Sequence, residues 1–216
     1  MKKRIYLFIS ILMIFILVGC EKENNNVENI NVQKLESIQQ ENKEETNLNN
    51  TILEDNIISE KKEPIEELLY SFSTQLLAKE ENRVDNISKA CNTINGIIIN
   101  SGETFSFWSI IGNPTVDKGY KEAKAFTASG GVTTAIGGGL CQVSSTIYNI
   151  VLNVPELETI ERHQHTREVY YVKLGNDASV SYGGADFKFK NNLPNPIKIY
   201  AECTNEEVNI RFVKLL

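Results

Sequence analysis

Gly137–Asn149 reads GGGLCQVSSTIYN. Leu140, Val143, Ile147, Ile150 and Val151 recur at helical spacing, and Pro155 lies just past the last of them, so a helix is expected to begin where the glycines end. Cys141 then falls in its first turn. Unpaired backbone N–H groups and the helix dipole favour negative charge there, a setting that lowers a thiol's pKa toward what a nucleophile needs. Gly137, Gly138 and Gly139 permit close approach of the backbone, and the amides of Gly138, Gly139 and Gln142 are candidates for stabilising an oxyanion. The same residues also fit a plain structural role, a tight strand-to-helix turn with a cysteine packed beside it.

Working back from this helix, RVDNISKACNTIN places Ile87, Ala90, Cys91 and Ile94 on one helical face, with Gly96 as the stop. IEELLYSFSTQLL fits either period, and a strand over Leu68 to Thr74 is the reading adopted. GIIIN is expected as a short buried strand. SGETFSFWSIIGNP is expected as a turn and an aromatic strand closed by a Gly-Asn-Pro turn, with Phe105 and Phe107 on one face and Trp108 on the other. Working forward, TIERHQHTREVYYVKLG, DASVSYGG, ADFKFKNN, NPIKIYAECT and EEVNIRFVKLL are short alternating runs separated by Gly, Asn, Asp and Pro. That is the pattern of an antiparallel meander. The fold class expected is α+β, with a helix-bearing N-terminal half and a largely antiparallel β meander in the C-terminal half.

The 216 residues divide into three parts. Residues 1–20 carry Lys2, Lys3 and Arg4, an apolar run from Ile5 to Val18, and then Gly19 and Cys20, the layout of an export signal. The run is shorter than the ~20 residues of a comfortable membrane span. Its ending, LVGC, resembles a bacterial lipobox, which implies lipid on Cys20 and an anchor at the extracellular face of the cytoplasmic membrane. Residues 21–63 hold no aromatic residue and no Gly, and Asn, Glu, Lys and Gln dominate. Such a stretch buries too little apolar surface to offset its ordering entropy and is expected to be a disordered tether. Residues 64–216 are expected to form the domain. A formal net charge of −6 and the lack of a basic stripe argue against a nucleic-acid partner.

With Cys20 lipidated, Cys91, Cys141 and Cys203 remain, an odd number that implies at least one free thiol. Cys91 and Cys203 fall on apolar faces and are expected to be inert core thiols. A nucleophilic thiolate wants a base and an orienting group. The chain holds two histidines, His163 and His165; in an extended segment both rings share a face, with Arg162 and Gln164 on the other. No further Cys or His stands near them to complete a metal site, so no metal is expected. Asp177 and Asp186 are the downstream carboxylates able to hold an imidazole in its working tautomer, and spacing does not choose between them. Asp177 is taken as the third catalytic member, leaving Asp186 with Arg162, His163 and Trp108 as candidates for binding substrate.

The runs RVDNISKACNTINGIIINSGETFSFWSIIG, GGGLCQVSSTIYN, ERHQHTREVYYVKLGNDASVSYGGADFKFKNN and NPIKIYA together resemble the VanW-like domain over roughly Leu68 to Phe212. Two departures stand out: Ser101 replaces a usual proline before GETFSF, and Trp108 stands where asparagine is expected. The resemblance implies a family first met in glycopeptide-resistance gene clusters, with members assigned as peptidoglycan L,D-transpeptidases. It makes Cys141 the nucleophile and His165 the base, with peptidoglycan stem peptides as substrates and no cofactor. Two rivals stand beside it: a noncatalytic wall-binding or resistance accessory module, and a cysteine L,D-carboxypeptidase or endopeptidase.

Overall fold

The computed structural model describes residues 64–127 and 129–216. The expected signal, the tether and Cys20 lie outside the described residues. The chain forms β1 (Glu66–Gln75), α1 (Glu81–Ile94), β2 (Ile98–Ile99), β3 (Thr104–Ser106), α2 (Phe107–Ile111), β4 (Glu122–Phe126), β5 (Val132–Ile136), α3 (Leu140–Val151), β6 (Leu157–Glu161), β7 (Lys188–Asn191), β8 (Ile197–Cys203) and β9 (Glu207–Leu215). All strand pairs are antiparallel, and the fold is α+β with a β-rich C-terminal half.

The alternating runs place their apolar sides as their period dictates. Ile197, Ile199 and Ala201 of β8 and Val208, Ile210 and Phe212 of β9 are buried, while Cys203 is half-buried. In α1 the stripe Ile87, Ala90, Cys91 and Ile94 is fully buried. The Cys91 thiol is pushed far up in pKa, first by burial and then by neighbouring Cys203, as befits an inert packing residue.

The strands do not form one meander. β8 and β9 join β1 and β2 in a four-stranded sheet of order β1-β9-β8-β2, whereas β6 and β7 pair with β3 in a second sheet. The aromatic run also departs from expectation after Ser106. Ser106 Oγ accepts from Ser109 N at 3.1 Å, and Asp186 Oδ1 accepts from Trp108 N at 3.2 Å. These two caps turn the chain into the short helix α2, so Phe105 lies within a strand that ends at Ser106 and Phe107 begins a helix, both buried. The short strands expected between residues 162 and 187 are absent. Apart from a single bridge between His163 and Ser179, that segment runs as irregular chain from the end of β6 to β7.

α3 packs against β1, β9 and α1, and every one of its residues is buried except Cys141. Its polar residues are satisfied in two directions. Gln142 Nε2 donates to Thr74 Oγ1 and to Gln75 O, both at 3.1 Å, and Thr146 Oγ1 lies 2.8 Å from Thr74 Oγ1. On the other side Ser145, Asn149 and Ser144 reach the irregular segment.

Candidate active site

The glycines before α3 are needed for close packing. A Cβ on Gly138 would stand 2.5 Å from Ala123 O in β4, and Asn86 Nδ2 on α1 donates to Gly138 O at 3.0 Å. Gly139 sits in the left-handed region at φ 112, where other residues are strained. The amides divide differently from the sequence-based expectation. Gly138 N donates to Ala135 O at 3.1 Å and Gln142 N to Gly139 O at 2.9 Å, so neither faces a ligand, and the Gln142 side chain is wholly buried. Among the described residues, the amides of Gly139 and Cys141 have no acceptor. These two are the donors available at the head of α3.

Cys141 Sγ donates to Val180 O at 3.4 Å and accepts from Val180 N at 3.5 Å. These contacts belong to a stripe. Cys141, Ser145 and Asn149 recur every fourth residue on one side of α3. Ser145 Oγ accepts from Ala178 N at 2.9 Å, Ser144 Oγ donates to Ala178 O at 2.7 Å, and Asn149 Nδ2 donates to Asn176 O at 2.8 Å. Residues 176–180 are thus laid along the helix by side-chain bonds at 141, 145 and 149. The period-four polar stripe is present in CQVSSTIYN, beside the apolar face that hydrophobic periodicity picks out.

That docking brings Asp177 to His165. Asp177 Oδ2 accepts from His165 Nδ1 and from His165 N, each at 2.6 Å. A carboxylate only accepts, so Nδ1 carries a proton and Nε2 is the nitrogen left for the thiol. Arg162 completes the row: Nη2 donates to Asp177 Oδ1 at 2.9 Å and to Gly175 O at 2.8 Å, and Nε donates to Asp177 O at 2.6 Å. Its guanidinium also lies over the Tyr148 ring, 5.1 Å from the centroid. Arg162 therefore stands behind Asp177 as a support.

The electrostatics follow this geometry. Burial pulls the His165 pKa down, but hydrogen bonding and charge from Cys141, and then from Asp177, outweigh it and raise the imidazole above its ordinary 6.5. Burial pushes Asp177 up, and the His165 main-chain and ring donors with the Arg162 charge reverse this, leaving it below 3.8. The result is a row from Cys141 through His165 and Asp177 to Arg162, with the His165 and Asp177 side chains each 5 % exposed.

The other candidates separate. His163 Nε2 meets Glu161 Oε1 at 2.9 Å and its ring is half exposed, so the two histidines do not share a task; the alternation that would have paired them requires a strand that ends at Glu161. Asp186 touches neither histidine. It accepts from Ser106 Oγ at 2.7 Å, from Trp108 N and from Phe187 N at 2.8 Å, which makes it an anchor of α2. Trp108 donates Nε1 to Ala185 O at 2.9 Å and packs edge-on against Tyr182.

Cys141, His163, His165, Trp108 and Tyr182 line one groove of about 760 Å³, within the ~300–1,000 Å³ usual for ligand pockets. Phe126, Val132 and Ile136 of the β4–β5 hairpin and Tyr170 form much of its rim. Phe126 is edge-on to the His165 ring at 6.1 Å, and Arg167 lies over Phe126 at 5.0 Å, so the hairpin is attached to the segment that carries the imidazole.

The family model described as VanW like protein matches residues 82–213. The chain is 41% identical over 144 residues to Uncharacterized protein YoaR of Bacillus subtilis (strain 168), covering 63% of this chain and 47% of that protein. It is 33% identical over 147 residues to Vancomycin B-type resistance protein VanW of Enterococcus faecalis (strain ATCC 700802 / V583), covering 65% and 52%. The chain spans about half the length of these curated relatives. No solved structure matches it. With the family match running from α1 to β9 and enclosing the whole Cys141–His165–Asp177–Arg162 row, the chain belongs to the VanW-like family.

Proposed function

We propose that this protein is a cysteine acyl transferase of the cell wall, an L,D-transpeptidase that crosslinks peptidoglycan stem peptides. The observation that carries the proposal is the half-exposed Cys141 at the head of a buried helix, beside an imidazole held by a buried carboxylate. His165 Nε2 takes the thiol proton as Sγ attacks the carbonyl of the L-centre of the diaminopimelate residue in a tetrapeptide stem. The amides of Gly139 and Cys141 stabilise the oxyanion, each such donor typically contributing ~3–4 kcal/mol. His165 then protonates the departing amine, D-alanine leaves, and a thioester remains. An amine of a second stem attacks the thioester, gives its proton to His165, and the crosslink forms as the sulfur is released.

Aromatic and aliphatic side chains dominate the groove rim, which favours an amine acceptor over water at the thioester. The name of the VanW relative, a vancomycin resistance protein, agrees with a task at the cell wall. Lipid on Cys20 and the spacer that follows would hold the domain at the outer face of the membrane, within reach of that substrate.

Incubating the purified protein with disaccharide tetrapeptides is expected to yield dimers and free D-alanine. A Cys141→Ser variant that forms dimers at the parental rate ends the proposal. Trimmed stems without dimers would make the protein a carboxypeptidase of the same chemistry.

A further inference from the structure

At one end of the groove lies a cation that the row of Cys141, His165, Asp177 and Arg162 does not use. Arg83 on α1 is 7% exposed and lines the groove with Ala78, Glu80 and Gln142. Its stem crosses the head of α3, with Cγ 3.1 Å from the position a Cβ on Gly139 would take. Nη2 donates to the neutral Gln142 Oε1 at 2.9 Å. Nη1 is buried and has no hydrogen-bond partner. Among the described residues no carboxylate pairs with Arg83; Glu80, on the same wall, is bound to Lys124 at 2.8 Å.

A guanidinium buried without a counter-charge is costly, and evolved interiors pair or ligate such groups. This one stands beside the first turn of a 12-residue helix whose Gly139 and Cys141 amides are also free. With those amides taken by the oxyanion, the cation and the helix N-terminus favour a second negative charge beside it. A planar guanidinium fits a carboxylate in particular. We infer that Arg83 binds the free carboxylate of the donor stem's terminal residue, so that the protein acts only on stems that end there.

This rests on the reaction proposed above. The residue released by attack at Cys141 carries its carboxylate one residue past the attacked carbonyl, ~3.8 Å between successive Cα atoms. Arg83 is bonded to Gln142, the chain neighbour of Cys141. Nη1 is buried, and Ala78 and Glu80 of the irregular connection between β1 and α1 line the groove beside Arg83.

The test compares two disaccharide tetrapeptides, one with a free C-terminal carboxylate and one with a C-terminal amide, binding to the Cys141→Ala protein in calorimetry. The free acid is expected to bind at least tenfold more tightly, Arg83→Gln to erase the difference, and Arg83→Lys to keep part of it. Equal binding of acid and amide to the protein with Arg83 intact overturns the inference and leaves Nη1 to a buried water. Failure to bind either stem, or an acid preference that survives Arg83→Gln, overturns it as well. Because the first comparison keeps Arg83, a variant that fails to fold does not protect the inference. With Cys141 present, the amide is expected to raise KM more than it lowers kcat. Discrimination in binding without any turnover sinks the proposed reaction and leaves the carboxylate site standing; turnover without discrimination does the reverse.

Discussion

The sheet of β1, β9, β8 and β2 and the segment from Arg162 to Phe187 are held together by different means. In the sheet, β1 pairs with β9 from Glu66↔Leu215 to Gln75↔Glu207, and the bonds belong to the backbone, so most exposed side chains can change without disturbing the ladder. In the segment there is one backbone bridge, and position is set mainly by side chains, among them Arg162, Asp177, Ser144, Ser145 and Asn149. A ladder shares its stability over many equivalent bonds. A segment pinned by individual side chains concentrates it, and the histidine and carboxylate of the site ride on those pins. The site should therefore fail before the fold does when the pins are cut, whereas the sheet should fail as a unit or hardly respond.

The largest effect is expected at Asp177. Asp177→Asn removes the orienter of His165 and the partner of the largely buried Arg162, and loss of such an orienter has cost ~10⁴ in kcat in a comparable triad. Leaving Arg162 unpaired should also destabilise the domain by about 3 kcal/mol. Denaturant melts and turnover on the same preparation check both, and near-parental activity would remove Asp177 from the row. In the sheet, Phe212→Ala on β9 should cost a similar ~3–5 kcal/mol by opening a cavity, yet leave the activity per folded molecule close to parental. If Phe212→Ala depresses turnover of the folded fraction as Asp177→Asn does, the two regions are not independent.

A smaller effect belongs to Ser145→Ala, which deletes the acceptor for Ala178 N. About 1–3 kcal/mol is expected, with faster amide exchange confined to residues 176–180. Smaller again is a change of protonation. His165 should titrate above 6.5, and Cys141→Ala should lower its midpoint by removing one of the two raising partners, as read from the imidazole NMR signals. A raised folded-state pKa contributes stability in full below 6.5 that is lost as pH climbs through the folded value, so the wild type should lose stability above 6.5 more steeply than Cys141→Ala. Asp177 works in the opposite window: its contribution is complete above 3.8 and disappears as pH falls through its lowered pKa. The smallest effect is Ser71→Ala, an exposed ladder position paired with Arg211, expected within about 0.5 kcal/mol of wild type.

The same contrast explains which parts of the molecule could be read in advance. α1, α3, β8 and β9 carry their period in their own residues, and Cys141 falls in the first turn of α3 for the same reason, whereas β1 fits helix or strand by its own pattern and is made a strand by pairing with β9. ERHQHTREVYY looked like a strand by alternation, but Arg162 and His165 turn to the same carboxylate and the ladder stops at Glu161. FSFW looked extended because its aromatic residues alternate, while Asp186, 78 positions away, caps a helix there.

The chain by itself determined its period-bearing elements, the glycines that let α3 start against β4, and a reactive residue type at that start with two imidazoles in reach. Tertiary structure decided the rest: Asp177 over Asp186, His165 over His163, Arg162 as support for a carboxylate, and Gly139 and Cys141 as the open amides. Periodicity is a property of residues three or four apart and survives in any context. The partner of a carboxylate or an amide depends on which groups the packing of α3 brings within 3 Å, and that is fixed only when the whole core closes.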